Sequence, residues 1–258
     1  MRRLLRAVRP ERTERTDEGT TLAELLVSMT LLSLILMAVV TISIGFTRAN
    51  ADTMTRQDQV DVGRVASEAM TKTLRTAVLP SQLITNCADK TACEDKAFLL
   101  GQKFTVRFYA NLNNPGNTVG PSQVSYVLTT SGPNAGALVE RIQVPDSASV
   151  ALAGGYYTYC DAEASGATAA CKKRLKKHTI AEGVVGSGAA VFAYYDENGN
   201  ALNPGSTGLS SDDLAKVAAV ELTVTVKSSP KIHSTTYIQR VSLPNVQASI
   251  NEKQDVNP

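Results

Sequence analysis

From Leu25 to Phe46 the chain runs for 22 residues without a charged side chain. As a helix rising about 1.5 Å per residue, that stretch is roughly 33 Å long, enough to cross the hydrocarbon core of a bilayer. Leu, Met and Ala favour the helix, no Pro interrupts it, and Gly45 is its only glycine. Glu24 stands at the head of the run. A carboxylate at the edge of a membrane span is costly unless paired, so it is a candidate functional group. Its bland reading is a first-turn Glu, favoured by the helix dipole and sitting at the headgroups.

The residues before the span decide between these readings. Met1–Gly19 is polar and charged, without apolar periodicity, and reads as an unstructured cytoplasmic leader. It holds six Arg (2, 3, 6, 9, 12 and 15) against Glu11, Glu14, Asp17 and Glu18. Few basic residues follow the span directly, so the positive-inside rule predicts a cytoplasmic N-terminus and an exported C-terminal part. The sequence Gly19–Thr20–Thr21–Leu22–Ala23–Glu24 then leads into the apolar run.

This arrangement resembles the type IV prepilins and type II secretion pseudopilins. Their signature is a short charged leader, Gly, an aromatic or Met, Thr, Leu, a small or branched apolar residue, Glu, and about twenty apolar residues. Gly19, Thr21, Leu22 and Glu24 occupy the matching positions, and Thr20 departs from the usual Phe. The resemblance covers about the first fifth of the chain. It implies cleavage between Gly19 and Thr20 by a prepilin peptidase and N-methylation of Thr20. Cleavage creates a cationic amine four residues before Glu24, on the same helical face. In a filament, the Thr20 amine of one subunit can pair with Glu24 of its neighbour, making two ions tolerable together. The implied partners are the peptidase, other pilin subunits and the lipid of the cell membrane.

An ordinary secretory signal competes, with Ala49–Asn50–Ala51 as a small-residue cleavage site. An apolar region of 22 residues exceeds the usual 7–15, which weighs against it. Three readings therefore predict three mature N-termini. A filament subunit begins at Thr20. A single-pass anchored binding domain for DNA or a surface polymer keeps Met1. A secreted enzyme released after Ala51 begins at Asp52.

Beyond the span, Val62, Val65, Ala66, Ala69, Met70, Leu74 and Ala77 recur at spacings of three and four, predicting an amphipathic helix. Pro80 ends it, and Gly63 is a soft spot. One long helix over residues 20–79 follows, with the span at 25–46 and the amphipathic half at 48–79. Residues 80–244 read as short strands and turns. Phe104–Ala110, Val124–Leu128, Leu138–Val144, Val191–Tyr195 and Val220–Val226 are strand candidates, and Thr235–Leu243 pairs with the last of these across Ser228–His233. Asp161–Ala170, rich in Ala, Gly and Ser, reads as a mobile loop, and 245–258 as a polar, frayed tail. The fold class is α+β: a long N-terminal helix packed on an antiparallel, β-rich, pilin-like head. The aromatic strand and turn at Val191–Asn200, before two long terminal strands, look like the end of PilW-like and GspJ-like minor pilins.

Composition excludes more than it selects. Removing six Arg and four acids from totals of 26 and 24 leaves 20 of each sign in the mature chain. That balance gives no general attraction for nucleic acid. With only five Phe, eight Tyr and no Trp, the core is expected to rest on Val, Leu, Ile and Ala. Four cysteines in an exported segment suggest disulfides, with three connectivities open. Cys87–Cys93 and Cys160–Cys171 are favoured, because each pairing closes a short loop in a polar stretch. Zinc is disfavoured by the absence of Cys-x-x-Cys, and calcium at Asp196–Asn200 by too few carboxylates, so Asn198–Gly199 reads as a hairpin turn. Lys172, Lys173, Arg174, Lys176 and Lys177 form the one dense charge run. It reads first as a solvated loop and second as a contact for an anionic polymer, DNA or an acidic partner; no aromatic residues interleave for base stacking. No nucleophile elbow, zincin or phosphate-loop motif occurs, so the expectation is a non-enzymatic protein without cofactor or metal.

Overall fold

The computed structural model describes residues 21–83, 96–148, 157–186, 188, 190–229 and 232–246. The leader, Cys87, Cys93 and residues 247–258 lie outside them. The chain divides into two compact units, Met1–Ala51 and Asp52–Pro258. Helix α1 (Leu22–Leu74) contributes to both.

In the first unit every residue from Thr21 to Ala51 is exposed, including Met37 at 70% and Ile42 at 72%. No described residue covers this apolar surface, and the helix is long and apolar enough to cross a membrane. Five of its hydroxyl side chains are satisfied within the helix. The hydroxyls of Ser28, Thr30, Ser33, Thr41 and Thr47 each donate to a carbonyl three or four residues back at 2.8–2.9 Å. A span can therefore carry them without exposing unpaired hydroxyls to lipid.

The second unit is α+β. Strands β1 (Phe98–Gly101), β2 (Thr105–Ala110), β3 (Ser122–Leu128), β4 (Leu138–Gln143) and β5 (Leu175–Ala181) form a five-stranded antiparallel sheet in sequence order. Strands β6 (Phe192–Tyr195), β7 (Ala201–Leu202), β8 (Ala219–Val226) and β9 (Thr235–Ser242) form a second sheet in the order β7-β6-β8-β9. Short helices α2 (Ala169–Arg174) and α3 (Ser211–Lys216) precede β5 and β8. Val191 and Phe192 N–H donate to the Lys103 carbonyl at 2.9 and 3.1 Å, and Tyr194 Oη donates to the Gln102 carbonyl at 2.9 Å, joining the sheets. One core runs through both, with Phe98, Phe108, Tyr126, Leu138, Phe192 and Leu222 fully buried.

The strands follow the alternation in the sequence. Along β8, Val220, Leu222, Val224 and Val226 are buried and the residues between them half-buried. Its register with β9, from Ala219 opposite Ser242 to Val226 opposite Thr235, is the predicted terminal pairing.

The C-terminal part of α1 packs through Gln59, Gly63, Ala66, Ser67, Met70, Thr71 and Leu74. This stripe differs from the predicted one. Val65 is 60% exposed, while a fully buried Gln59 lies on the packed face. Gln59 is tolerated because both ends of its amide are bonded. With the amide oriented as its neighbours require, its nitrogen donates to the His233 carbonyl at 3.1 Å and its oxygen accepts from Ser228 N–H at 2.9 Å. Gly63 is the seat of the Tyr237 ring: a Cβ there would lie 2.5 Å from Cδ2. Further along, Thr73 Oγ1 donates to Glu140 Oε1 at 3.4 Å, and Tyr126 Oη donates to the same oxygen at 2.6 Å. Burial pushes the Tyr126 phenol pKa up, reinforced by the Glu140 carboxylate beside it.

Three expectations are corrected. The helix ends at Leu74, not 79. Val78 N–H bonds the Tyr109 carbonyl at 3.0 Å and Asn111 N–H the Thr76 carbonyl at 2.9 Å, so sheet pairing with the end of β2 captures the chain before Pro80 can act. The 161–170 stretch is fastened rather than mobile, by the contacts described below. At the C-terminal end, residues 245–246 are docked, not frayed. Val246 is buried, the Asn245 carbonyl accepts from Gln82 Nε2 at 3.0 Å, and Asn245 Nδ2 donates to the Ala77 carbonyl at 3.4 Å.

Candidate functional site

The head of α1 is built by Thr21. Its carbonyl accepts from Glu24 and Leu25 N–H at 3.0 and 3.1 Å, and its hydroxyl accepts from Glu24 N–H at 3.3 Å. Thr21 is thus the N-cap and Glu24 the third helical residue, the Ser/Thr-x-x-Glu spacing of a capping box. The spacing is legible in Thr21–Glu24 of the sequence. The Glu24 side chain is exposed in the first turn, where the helix dipole favours a negative charge. Gly19 and Thr20, the sites predicted for cleavage, methylation and the ion pair, lie outside the described residues.

Cys160 and Cys171 form a disulfide with Cα atoms 6.0 Å apart, closing a loop with a sequence separation of 11. The predicted Cys87–Cys93 pairing lies outside the described residues. Thr168 accepts from Cys171 N–H at 3.2 Å and caps α2, placing the cysteine on its first turn.

The basic run is divided between two elements. Lys172, Lys173 and Arg174 end α2, and Lys176 and Lys177 lie on β5. Arg174 Nη1 sits 3.5 Å from Asp146 Oδ1, and Lys177 pairs with Glu163. Lys172, Lys173 and Lys176 remain exposed. Because β5 is an edge strand, its lysines also oppose edge-to-edge pairing. The strand escaped sequence reading because charged residues mask its alternation.

The register of the five-stranded sheet produces a further grouping. Arg107 on β2 faces Ser125 on β3, Ser125 faces Arg141 on β4, and Arg141 faces Lys177 on β5. Tyr109, Gln123, Gln143 and Leu175 form the next row on the same face. Residues 157–164 arch over these rows and wall one side of an open cavity of about 690 Å³. The arch is held at several points. Tyr159 Oη donates to the Pro121 carbonyl at 2.6 Å, and Gln143 Nε2 donates to the Cys160 carbonyl at 2.6 Å. The Tyr157 ring lies against Gly120, whose φ of +100° and lack of a Cβ make room for it. Tyr159 also packs on Tyr109 with ring centroids 5.9 Å apart, and burial pushes the Tyr159 phenol pKa up.

The charges in this cavity are unequally committed. Glu163 accepts from Arg141 Nη1 at 2.7 Å and pairs with Lys177. These side chains are 32–48% exposed, so each pair contributes only about 0–1 kcal/mol. Asp161 is exposed, and its Oδ1 accepts from Glu163 and Ala164 N–H of the arch at 3.0 and 3.2 Å. The side chains of Arg107, Gln123 and Ser125 have no hydrogen-bond or ion-pair partner among the described residues, and the buried Arg141 Nε–H lacks an acceptor among them.

The turn predicted at Asn198–Gly199 joins β6 to β7, with Gly199 at φ +80°. Asp196 Oδ1 accepts from Asn200 N–H at 2.7 Å and Oδ2 from Asn200 Nδ2 at 2.9 Å, which lowers the Asp196 pKa. Its carboxylate is thus committed to the turn. Among the described residues no three His, Cys, Asp or Glu side chains gather as a metal-binding group.

No family model, curated protein or solved structure matches this chain.

Proposed function

We propose that the protein is a membrane-anchored minor pilin or pseudopilin, cleaved after Gly19 and assembled into, or at the tip of, a type IV pilus-like filament. The observation that carries this reading is the head of α1. A single carboxylate, Glu24, stands in the first turn of a helix whose next 22 residues are mostly apolar, uncharged and uncovered by any described residue. An uncovered apolar helix needs lipid or other helices around it. Both are supplied in turn if the subunit waits in the membrane and then enters a filament core. In this reading the leader is a latch: before cleavage there is no Thr20 amine for a neighbour's Glu24 to meet. The topology is N-terminus in the cytoplasm and the β-rich unit outside, where the disulfide persists.

The mature N-terminus tests the proposal. Protein extracted from membranes of cells carrying a prepilin peptidase should begin at Thr20 with a methylated amine, by N-terminal sequencing and intact mass. A chain that retains Met1, or begins at Asp52, overturns it.

A further inference from the structure

We propose that the cavity on the outer face of the five-stranded sheet binds an acidic sugar unit. Its carboxylate would sit between Arg107 and Arg141, and its hydroxyls on Ser125 and Gln123. The site does not rest on filament assembly, since every residue belongs to the second unit.

The state of each wall group points to this ligand. Arg107 is exposed and unpaired among the described residues, Arg141 offers a buried Nε–H, and Ser125 lies between them in the cross-strand row. Two guanidinium groups flanking a hydroxyl form a donor set for one carboxylate. Glu163 of the arch already shows a carboxylate bound to Arg141, through a pair open enough to solvent to exchange. The neighbouring groups suit a polyhydroxylated ring. Gln123 can both donate and accept, and tyrosine offers a rigid apolar face beside a hydroxyl. The cavity is of the size that takes small organic ligands, about 300–1,000 Å³.

The same features disfavour other occupants. One unpaired guanidinium among matched charges is too little for a polyphosphate or nucleic-acid backbone, which wants several cations. A peptide could not add as a strand here, because β2, β3 and β4 are each paired on both sides. Aliphatic lining is confined to Ala162, Ala164 and Leu175, a poor seat for apolar side chains.

The test is calorimetric titration of the full chain in detergent with trigalacturonate, with maltotriose as the neutral sugar and triglutamate as the acidic peptide. Trigalacturonate should bind, and the other two should bind at least about tenfold more weakly. Arg107→Gln should weaken trigalacturonate by about tenfold, the scale of one charge-assisted hydrogen bond, and keep its fold because Arg107 is exposed. Glu163→Gln should act in the opposite direction, tightening binding by removing the internal competitor while preserving side-chain shape. Near-ultraviolet circular dichroism checks that both variants fold. The proposal is overturned by absence of trigalacturonate binding at millimolar concentration, by equal binding of maltotriose, or by triglutamate binding as tightly. It is also overturned if Arg107→Gln changes nothing or Glu163→Gln weakens binding.

Discussion

Gly63 shows how a single residue can be misjudged by propensity. In a helix interior Gly costs about 1 kcal/mol relative to Ala, so Gly63→Ala should stabilise on that ground. The Tyr237 ring decides otherwise, since the new methyl would meet Cδ2 and Cε2 at 2.5 and 2.7 Å. Overpacking of this kind costs about 1–3 kcal/mol, and the ring is held between helix and sheet. Gly63→Ala is therefore expected to lower the melting temperature of the β-rich unit, followed by near-ultraviolet circular dichroism. Gly45→Ala, where a Cβ meets nothing within 4 Å, should leave that transition unchanged.

Among the elements, the arch over residues 157–164 and α2 depend most on a covalent link. The arch has no regular ladder to hold it, and its composition gave no periodic signal in the sequence. Its position comes from the disulfide and from single bonds such as Gln143 to Cys160 and Tyr159 to Pro121. Closing a loop of this length contributes about 2–4 kcal/mol through the entropy of the unfolded chain. The double substitution Cys160→Ala with Cys171→Ala should lower the denaturant midpoint by a corresponding amount. Amide exchange should rise most in residues 157–174, while β3 and β8 keep the highest protection. Equal loss of protection throughout both sheets would show that the link anchors the whole fold instead.

At the scale of the whole molecule, the filament reading proposed above would give Glu24 two separable roles. Its position as third residue after the Thr21 cap stabilises the helix end, a role Gln can also fill. Pairing with a neighbour's amine requires the charge. Glu24→Gln should therefore insert in the membrane and be cut after Gly19, yet fail to enter sheared filament fractions. Leaving one partner of a buried pair costs about 3–5 kcal/mol, which reduces incorporation by about a hundredfold to a few thousandfold. Glu24→Asp should retain more assembly than Glu24→Gln. If Glu24→Gln assembles as well as the unaltered chain, the carboxylate serves only the helix end and the ion-pair role is wrong.

What the sequence determined by itself were the features that depend on near neighbours. The uncharged run fixes a membrane-length helix because backbone bonding and apolar transfer are local sums. Period-two alternation fixes β3, β8 and β9, and Asn198–Gly199 fixes a turn, for the same reason. The Cys160–Cys171 pairing was legible because the two are close in the chain. Tertiary structure alone decided what depends on distant partners. The capture of residues 76–78 by the end of β2 ended the helix early. A buried Gln59 was admissible only once the Ser228 and His233 backbone arrived to satisfy it. The row Arg107, Ser125, Arg141 and Lys177 spans 70 positions of sequence and exists only through strand register. Register is a cooperative property of several strands, set by which faces the core must bury. No window along the chain could have shown those four side chains on one face of the sheet.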